Sequence, residues 1–162
     1  VSATRLRISI ARQRLWLCHE VDILRAYPIS TAAAGAGERM GSYQTPRGRH
    51  RIRALIGRGQ PIGTVFVARH PTGEIYSAEL DAQYPQRDWI LTRILWLAGL
   101  EPGFNRYGAV DTQRRYIYIH GSPDSVPMGM PGSKGCIRMR NTDIIELFEA
   151  CHPGMPVLIT QE

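Results

Sequence analysis

The chain has 162 residues and a mass of 18.2 kDa, with 43% hydrophobic and 21% charged residues, enough for a single domain over residues 1–162 that buries its own core without disulfide or metal staples. No apolar run approaches the roughly 18 residues that would span a bilayer as a helix, which excludes a helical membrane span. A formal charge of +6 and a pI near 9.7 attract anionic polymers, whether nucleic acid, acidic envelope glycans or lipid headgroups, and sign alone does not choose among them.

Alternation of apolar and polar residues predicts a strand at Leu6 to Ile10 and a second at Arg14 to Cys18, joined by a short polar break as a hairpin. A third apolar run covers Ile23 to Ile29. The small-residue stretch from Ser30 to Gly41 reads as a flexible connection. Thr45-Pro46-Arg47-Gly48 is a turn signal, since proline presets φ and glycine accepts positive φ, and strands follow at Arg49 to Leu55 and Thr64 to Ala68. Trp89 to Leu100 carries apolar residues at roughly helical spacing and stops at Gly99 with Pro102 beyond, which predicts a helix packing Ile94, Leu95 and Leu97 into the core. Arg115 to Ile119 predicts a strand ending at His120. Asn141 predicts the cap of a helix over Ile144 to Cys151, and Met155 to Ile159 a last strand.

Arginines recur at every second position, as in Arg5 and Arg7 or Arg49, Arg51 and Arg53, a spacing that puts them on one face of strands, read here as a solvated sheet face. The three cysteines are an odd number, so at least one thiol is free, and Cys18 and Cys151 sit in apolar runs where buried cysteines are inert packing residues. The first 27 residues mix arginines with apolar residues and lack the apolar segment of a signal peptide.

The chemistry concentrates in one passage. His120-Gly121-Ser122 ends an apolar run, and sixteen residues after the histidine stands Cys136, within Ser133-Lys134-Gly135-Cys136-Ile137-Arg138-Met139. A thiol needs a base, a cation or oriented amides to become a nucleophile at neutral pH. Here His120 offers a base, Arg138 a permanent charge, and Gly135 lets the backbone and its amides approach a substrate carbonyl. Glycines and polar neighbours make this a poor context for a packing cysteine. No Cys-x-x-Cys or His-x-x-x-His pair suggests a metal site, the histidine precedes the cysteine in contrast to papain-type order, and no P-loop pattern occurs. In the region from Asp81 to Tyr107, Tyr84, Trp89, Asn105 and Tyr107 are candidates for a substrate wall or lid.

These residues closely resemble the L,D-transpeptidase catalytic domain, also called the YkuD domain: Ile117 to Gly121, Ser133 to Met139, then Asn141 and Asp143, with Thr45-Pro46-Arg47-Gly48 upstream. The resemblance covers essentially the whole chain and implies a mainly β, sandwich-like fold with a few short helices. It implies Cys136 as nucleophile, His120 as base, the Gly121 carbonyl as the group orienting the imidazole, the Gly135 and Cys136 amides as oxyanion donors, Ser133 as loop support, and Arg138 as a substrate contact. Asn105 and Tyr107 remain candidate substrate contacts. Lys134 stands where many members carry histidine. By resemblance the partners are peptidoglycan stems rather than nucleic acid, with an envelope lipoprotein as one further acceptor and carbapenems as inhibitors, in the periplasm or cell envelope and with no cofactor. Cys136 would attack the bond between the third stem residue, commonly diaminopimelate, and D-alanine. An amine resolving the thioester makes the chain a transpeptidase and water a carboxypeptidase, while an inert Cys136 would leave a wall-binding module.

Overall fold

The computed structural model describes residues 3–162. Its centre is a curled sheet of ten strands with two short helices, mainly β as the sequence implies. The predicted hairpin is present as β1 (Thr4–Ser9) and β2 (Arg14–His19), followed by β3 (Asp22–Pro28), β4 (Gly48–Ile56), β5 (Thr64–Val67) and β6 (His70–Ile75). After α1 (Ala78–Gln83) come β7 (Ile90–Gly99), β8 (Tyr118–Ser122), β9 (Ile137–Arg140), α2 (Asn141–Ala150) and β10 (Pro156–Thr160). The main path runs β3-β2-β1-β10-β4-β7-β5-β6, so the last strand is inserted between β1 and β4 and ties the two ends of the chain together.

The predicted helix from Trp89 to Leu100 is instead β7, the strand on which the sheet branches: β4 and β5 pair along one edge of it and β8 along the other. The reason is burial on both faces. Leu95 and Leu97 point into the main core while Ile94 packs with Phe66 and Tyr118 on the opposite side, so apolar residues run nearly without interruption and imitate a helical stripe. Ile94, Leu95 and Leu97 are core residues, as predicted, but from a strand.

The main core lies under one face of the sheet. Leu6, Ile8, Leu15, Ile52, Leu97, Ile119, Val157 and Ile159 descend from it onto Ile144, Leu147 and Phe148 of α2. Asn141 does not cap that helix. Arg140 holds the cap position, and the Asn141 side chain is buried, accepting a hydrogen bond from Thr92 Oγ1 at 2.6 Å. Nor is the stretch after Ser30 a loose connection: Ser30 bridges to Arg138, Ala32 to Ser133 and Ala36 to Thr45, with Ser30, Thr31 and Ala32 buried. Cys18 and Cys151 are buried free thiols, as their apolar surroundings imply. Among the described residues no helix is long and apolar enough to cross a membrane.

Candidate active site

Strand alternation decides which residues share a face. On β8, Ile119 points into the core, whereas Tyr118 and His120 point to the other side, opposite Trp96 and Ile94 of β7. β9 runs parallel to β8 with Arg138 opposite His120, so Cys136, just before β9, arrives on the same outer side. The strand extends through His120 to Ser122 rather than stopping at the histidine.

There Cys136, His120, Ser133, Lys134 and Arg138 line one cavity of about 460 Å³. The remaining wall comes from Tyr43, the β5–β6 turn at Ala68 and Arg69, Asp88 and Ile90 before and at the start of β7, and Arg115, Tyr116 and Tyr118. Tyr118 was legible in principle, two residues before His120 on β8, whereas Tyr116 lies in the turn before the strand begins, at φ +56. Arg69 and Asp88 carried no such signal, because only tertiary pairing brings them in. The carbonyl of Gly121 lies 2.6 Å from His120 Nδ1. A carbonyl only accepts, so Nδ1 carries the proton and Nε2 keeps its lone pair.

The turn holding the thiol is tied down from several directions. Ser133 Oγ donates to the Cys136 carbonyl at 2.5 Å and accepts from the Gly135 amide at 3.1 Å. The Gly135 carbonyl accepts from Thr45 Oγ1 at 2.9 Å, and Thr45 in turn accepts from the Ala32 amide at 3.0 Å. The Thr-Pro-x-Gly segment thus acts at a distance of 90 residues, as a brace for the cysteine turn. Gly135 has φ +130, and a Cβ there would lie 3.2 Å from Ile117 Cδ1 and 3.3 Å from the Gln44 carbonyl. Its amide is already occupied by Ser133, so the expected oxyanion role of Gly135 is not available in this conformation.

Charge around the thiol is mixed. Burial pushes Cys136 up to about 12, against the opposing pull of the Tyr118 amide, 3.3 Å from Sγ, and of Arg138 and Arg115, while Asp88 adds to the rise. Burial also holds His120 below the usual imidazole range. Both effects favour the neutral thiol beside a neutral imidazole in the resting site. Arg138 is not a free anchor: it pairs with Asp88 at 3.1 Å and donates to the Gly132 carbonyl at 3.1 Å. Arg115 donates to the carbonyl of Gln44 at 2.6 Å and is half-buried. Arg69 lies 4.8 Å from the ring centres of Trp96 and Tyr116 and donates to the Tyr118 hydroxyl at 3.0 Å. Among the described residues no three His, Cys, Asp or Glu side chains converge as metal ligands.

The other proposed substrate contacts lie elsewhere. Asn105 is fully buried, its amide donating to the carbonyls of Arg47 and Arg49 and its Oδ1 accepting from the Glu101 amide, so it is a loop clamp with no group left for a ligand. Tyr107 is exposed, and neither it, Tyr84 nor Trp89 lines the cavity; Trp89 packs edge-on against Tyr76, 5.1 Å between ring centres. A larger cavity of about 780 Å³, lined in part by Ile62, Ile75, Asp81 and Asp124, contains neither Cys136 nor His120.

Comparison with known proteins agrees with this fold. An L,D-transpeptidase from Mycobacterium smegmatis superposes with a TM-score of 0.57 at 16% identity over 98% of this chain and 59% of its own. L,D-transpeptidase 3 from Mycobacterium tuberculosis, solved with a faropenem-derived adduct, gives 0.59 at 16% identity over 98% of this chain and 60% of its own. At such identities the likeness concerns the fold. In sequence, YqjB of Bacillus subtilis, a protein named as an L,D-transpeptidase, is 38% identical over 56 residues, which is 35% of this chain and 32% of that protein. The chain therefore spans about a third of that relative and at most about 60% of these two solved chains. The model of the YkuD L,D-transpeptidase catalytic domain matches residues 3–159, nearly the whole chain and every strand that builds the Cys136 cavity, and the chain belongs to that family.

Proposed function

We propose that this domain is a cysteine-dependent L,D-transpeptidase acting on peptidoglycan stems in the cell envelope. The observation that carries the reading is the convergence of Cys136 and His120 on one cavity, with Nδ1 of His120 committed to the Gly121 carbonyl and Nε2 left as the base. The thiol starts protonated. As Sγ attacks the carbonyl of the third stem residue, its proton passes to Nε2, so the buried thiolate never has to exist unaccompanied. Collapse of the tetrahedral intermediate breaks the bond to D-alanine, whose nitrogen takes the proton back from His120, leaving a thioester on Cys136. An acceptor amine, deprotonated by the same Nε2, then attacks the thioester and releases the thiol. A 3,3 cross-link forms when the amine belongs to a second stem, and a protein is anchored when it is a lipoprotein lysine. The Cys136 amide is the remaining oxyanion donor from the turn, given that the Gly135 amide is held by Ser133. Arg138, paired with Asp88, orders the loop and meets a substrate carboxylate only by exchanging that partner.

Solved L,D-transpeptidases carrying a faropenem-derived adduct or an avibactam carbamoyl group support covalent trapping as the test. Intact-mass spectrometry after exposure to a carbapenem should find a single adduct on the wild-type chain and none on Cys136→Ala. A persistent adduct on Cys136→Ala would falsify the assignment of the nucleophile. Dimer formation from tetrapeptide stems with an added amine acceptor distinguishes transfer from hydrolysis, which releases tripeptide alone.

A further inference from the structure

The outer face that carries the catalytic cavity continues across four more strands, and its residues there have no role in the chemistry above. Pairing register aligns them. Trp16 on β2 stands opposite Arg7 on β1, Arg7 opposite Leu158 on β10, and Leu158 opposite Arg49 on β4. One step along, Arg51 lies opposite Pro156 and, on its other side, Ala98 of β7, two residues from Trp96 on the same face. Trp96 is the wall against which Arg69 stacks at the cavity, and Arg53 approaches the same ring at 5.9 Å.

Arg7 lies over Trp16 at 5.6 Å, so cation and aromatic ring alternate at both ends of the row. Among the described residues none of Arg7, Arg49, Arg51 and Arg53 is within ion-pair distance of a carboxylate. Glu101 and Glu162 border the adjoining groove of about 700 Å³, and the Glu101 carboxylate is engaged by the Arg49 amide at 2.7 Å. Neighbouring strands lie about 4.8 Å apart, so the row from β2 to β7 is about 19 Å long, more than one small anion needs.

We infer that this row is an exosite for the anionic wall polymer itself: carboxylates of neighbouring stems meet the arginines, and sugar rings meet Trp16 and Trp96, while one stem enters the cavity. The inference rests on the proposed peptidoglycan reaction, which is what favours a wall glycan over nucleic acid or lipid. Unpaired cations on one sheet face, Arg7, Arg49 and Arg53 exposed and Arg51 half-buried, suit a repeating anion better than a single headgroup, and their continuity with the cavity makes polymer binding and stem entry one event.

The test separates the exosite from the active site. Protein-free peptidoglycan sacculi are the probe, in co-sedimentation and turnover assays with the wild-type chain and with Arg7→Gln/Arg49→Gln/Arg51→Gln. The triple variant should sediment about tenfold more weakly at roughly 0.1 M salt, and wild-type binding should fall as salt is raised. Turnover on sacculi should fall with it, while turnover of soluble monomeric stems and carbapenem acylation of Cys136 hold, which also certifies the fold. Equal sedimentation of the two proteins overturns the exosite, as does tighter wild-type binding to double-stranded DNA or to anionic phosphatidylglycerol vesicles than to sacculi. Loss of wild-type acylation would instead strike the proposed function and leave the polymer-binding measurement standing.

Discussion

The two faces of the same strands do opposite work. On β7 and β8, Leu95, Leu97 and Ile119 point one way into a dry core closed by α2, and Trp96, Tyr118 and His120 point the other way toward the cavity and its arginines. A shift of one residue separates a packing position from one that lines the cavity. The core face can be dense and apolar because its polar backbone groups are spent within the sheet, whereas the outer face keeps cations, phenols and a thiol partly open to solvent. Stability and reactivity are therefore carried by different side chains of common strands.

That division can be broken by substitution. The largest effect after loss of Cys136 itself belongs to His120→Ala, expected to slow carbapenem acylation by about 10²- to 10⁴-fold through loss of the general base. Pre-steady-state acylation kinetics measure it, and an unchanged rate would remove His120 from the mechanism. Leu97→Ala, from the core face of β7, should cost about 2–5 kcal/mol in denaturant unfolding and leave the acylation rate of the folded protein near that of wild type. If instead His120→Ala proved the more destabilising of the two and Leu97→Ala the more damaging to rate, the separation of faces would fail.

A smaller effect comes from pH. His50 is buried on the core side, its ring nitrogens facing the Gly48 carbonyl at 3.0 Å and Thr112 Oγ1 at 2.9 Å, and burial depresses its pKa to about 4. The unfolded chain titrates this histidine near 6.5, so between about 6.5 and 4 it binds more protons than the folded chain, and stability falls as pH falls through that window. His120, also held low by burial, acts in the same direction. Urea unfolding between pH 7 and 4.5 should lose about 2–3 kcal/mol from His50, and His50→Gln should flatten the profile. A stability curve that is level for the wild type over that range would contradict the neutral, buried state of His50.

Local pattern was a good guide where one face of a strand is wet and the other dry. The β1–β2 hairpin and the first half of β4 alternate and appear where alternation places them, and the His120 to Cys136 passage identified its cavity because small residues around a thiol leave little to pack against. Pattern misled where both faces are buried. Thus β7 imitated a helix, and the stretch after Ser30 looked loose although its backbone bridges to Ser133 and Arg138. Asn105 looked available because loop residues so often bind ligands, yet its amide is consumed by three backbone partners.

What the amino-acid sequence determined by itself is the family, whose domain spans residues 3–159, and the residue types of the proposed chemistry: a thiol, an imidazole and the glycine-bearing turn between them. These are carried by residue type and close spacing. Tertiary structure alone decided what surrounds that chemistry. It brought Arg69, Asp88 and Arg115 to the thiol, set Thr45 as a brace beneath Gly135, took the Gly135 amide out of service, and aligned arginines from β1 and β4 along one outer face. Register between distant strands places those groups, and register is settled by the summed burial of the whole sheet, which no short segment encodes.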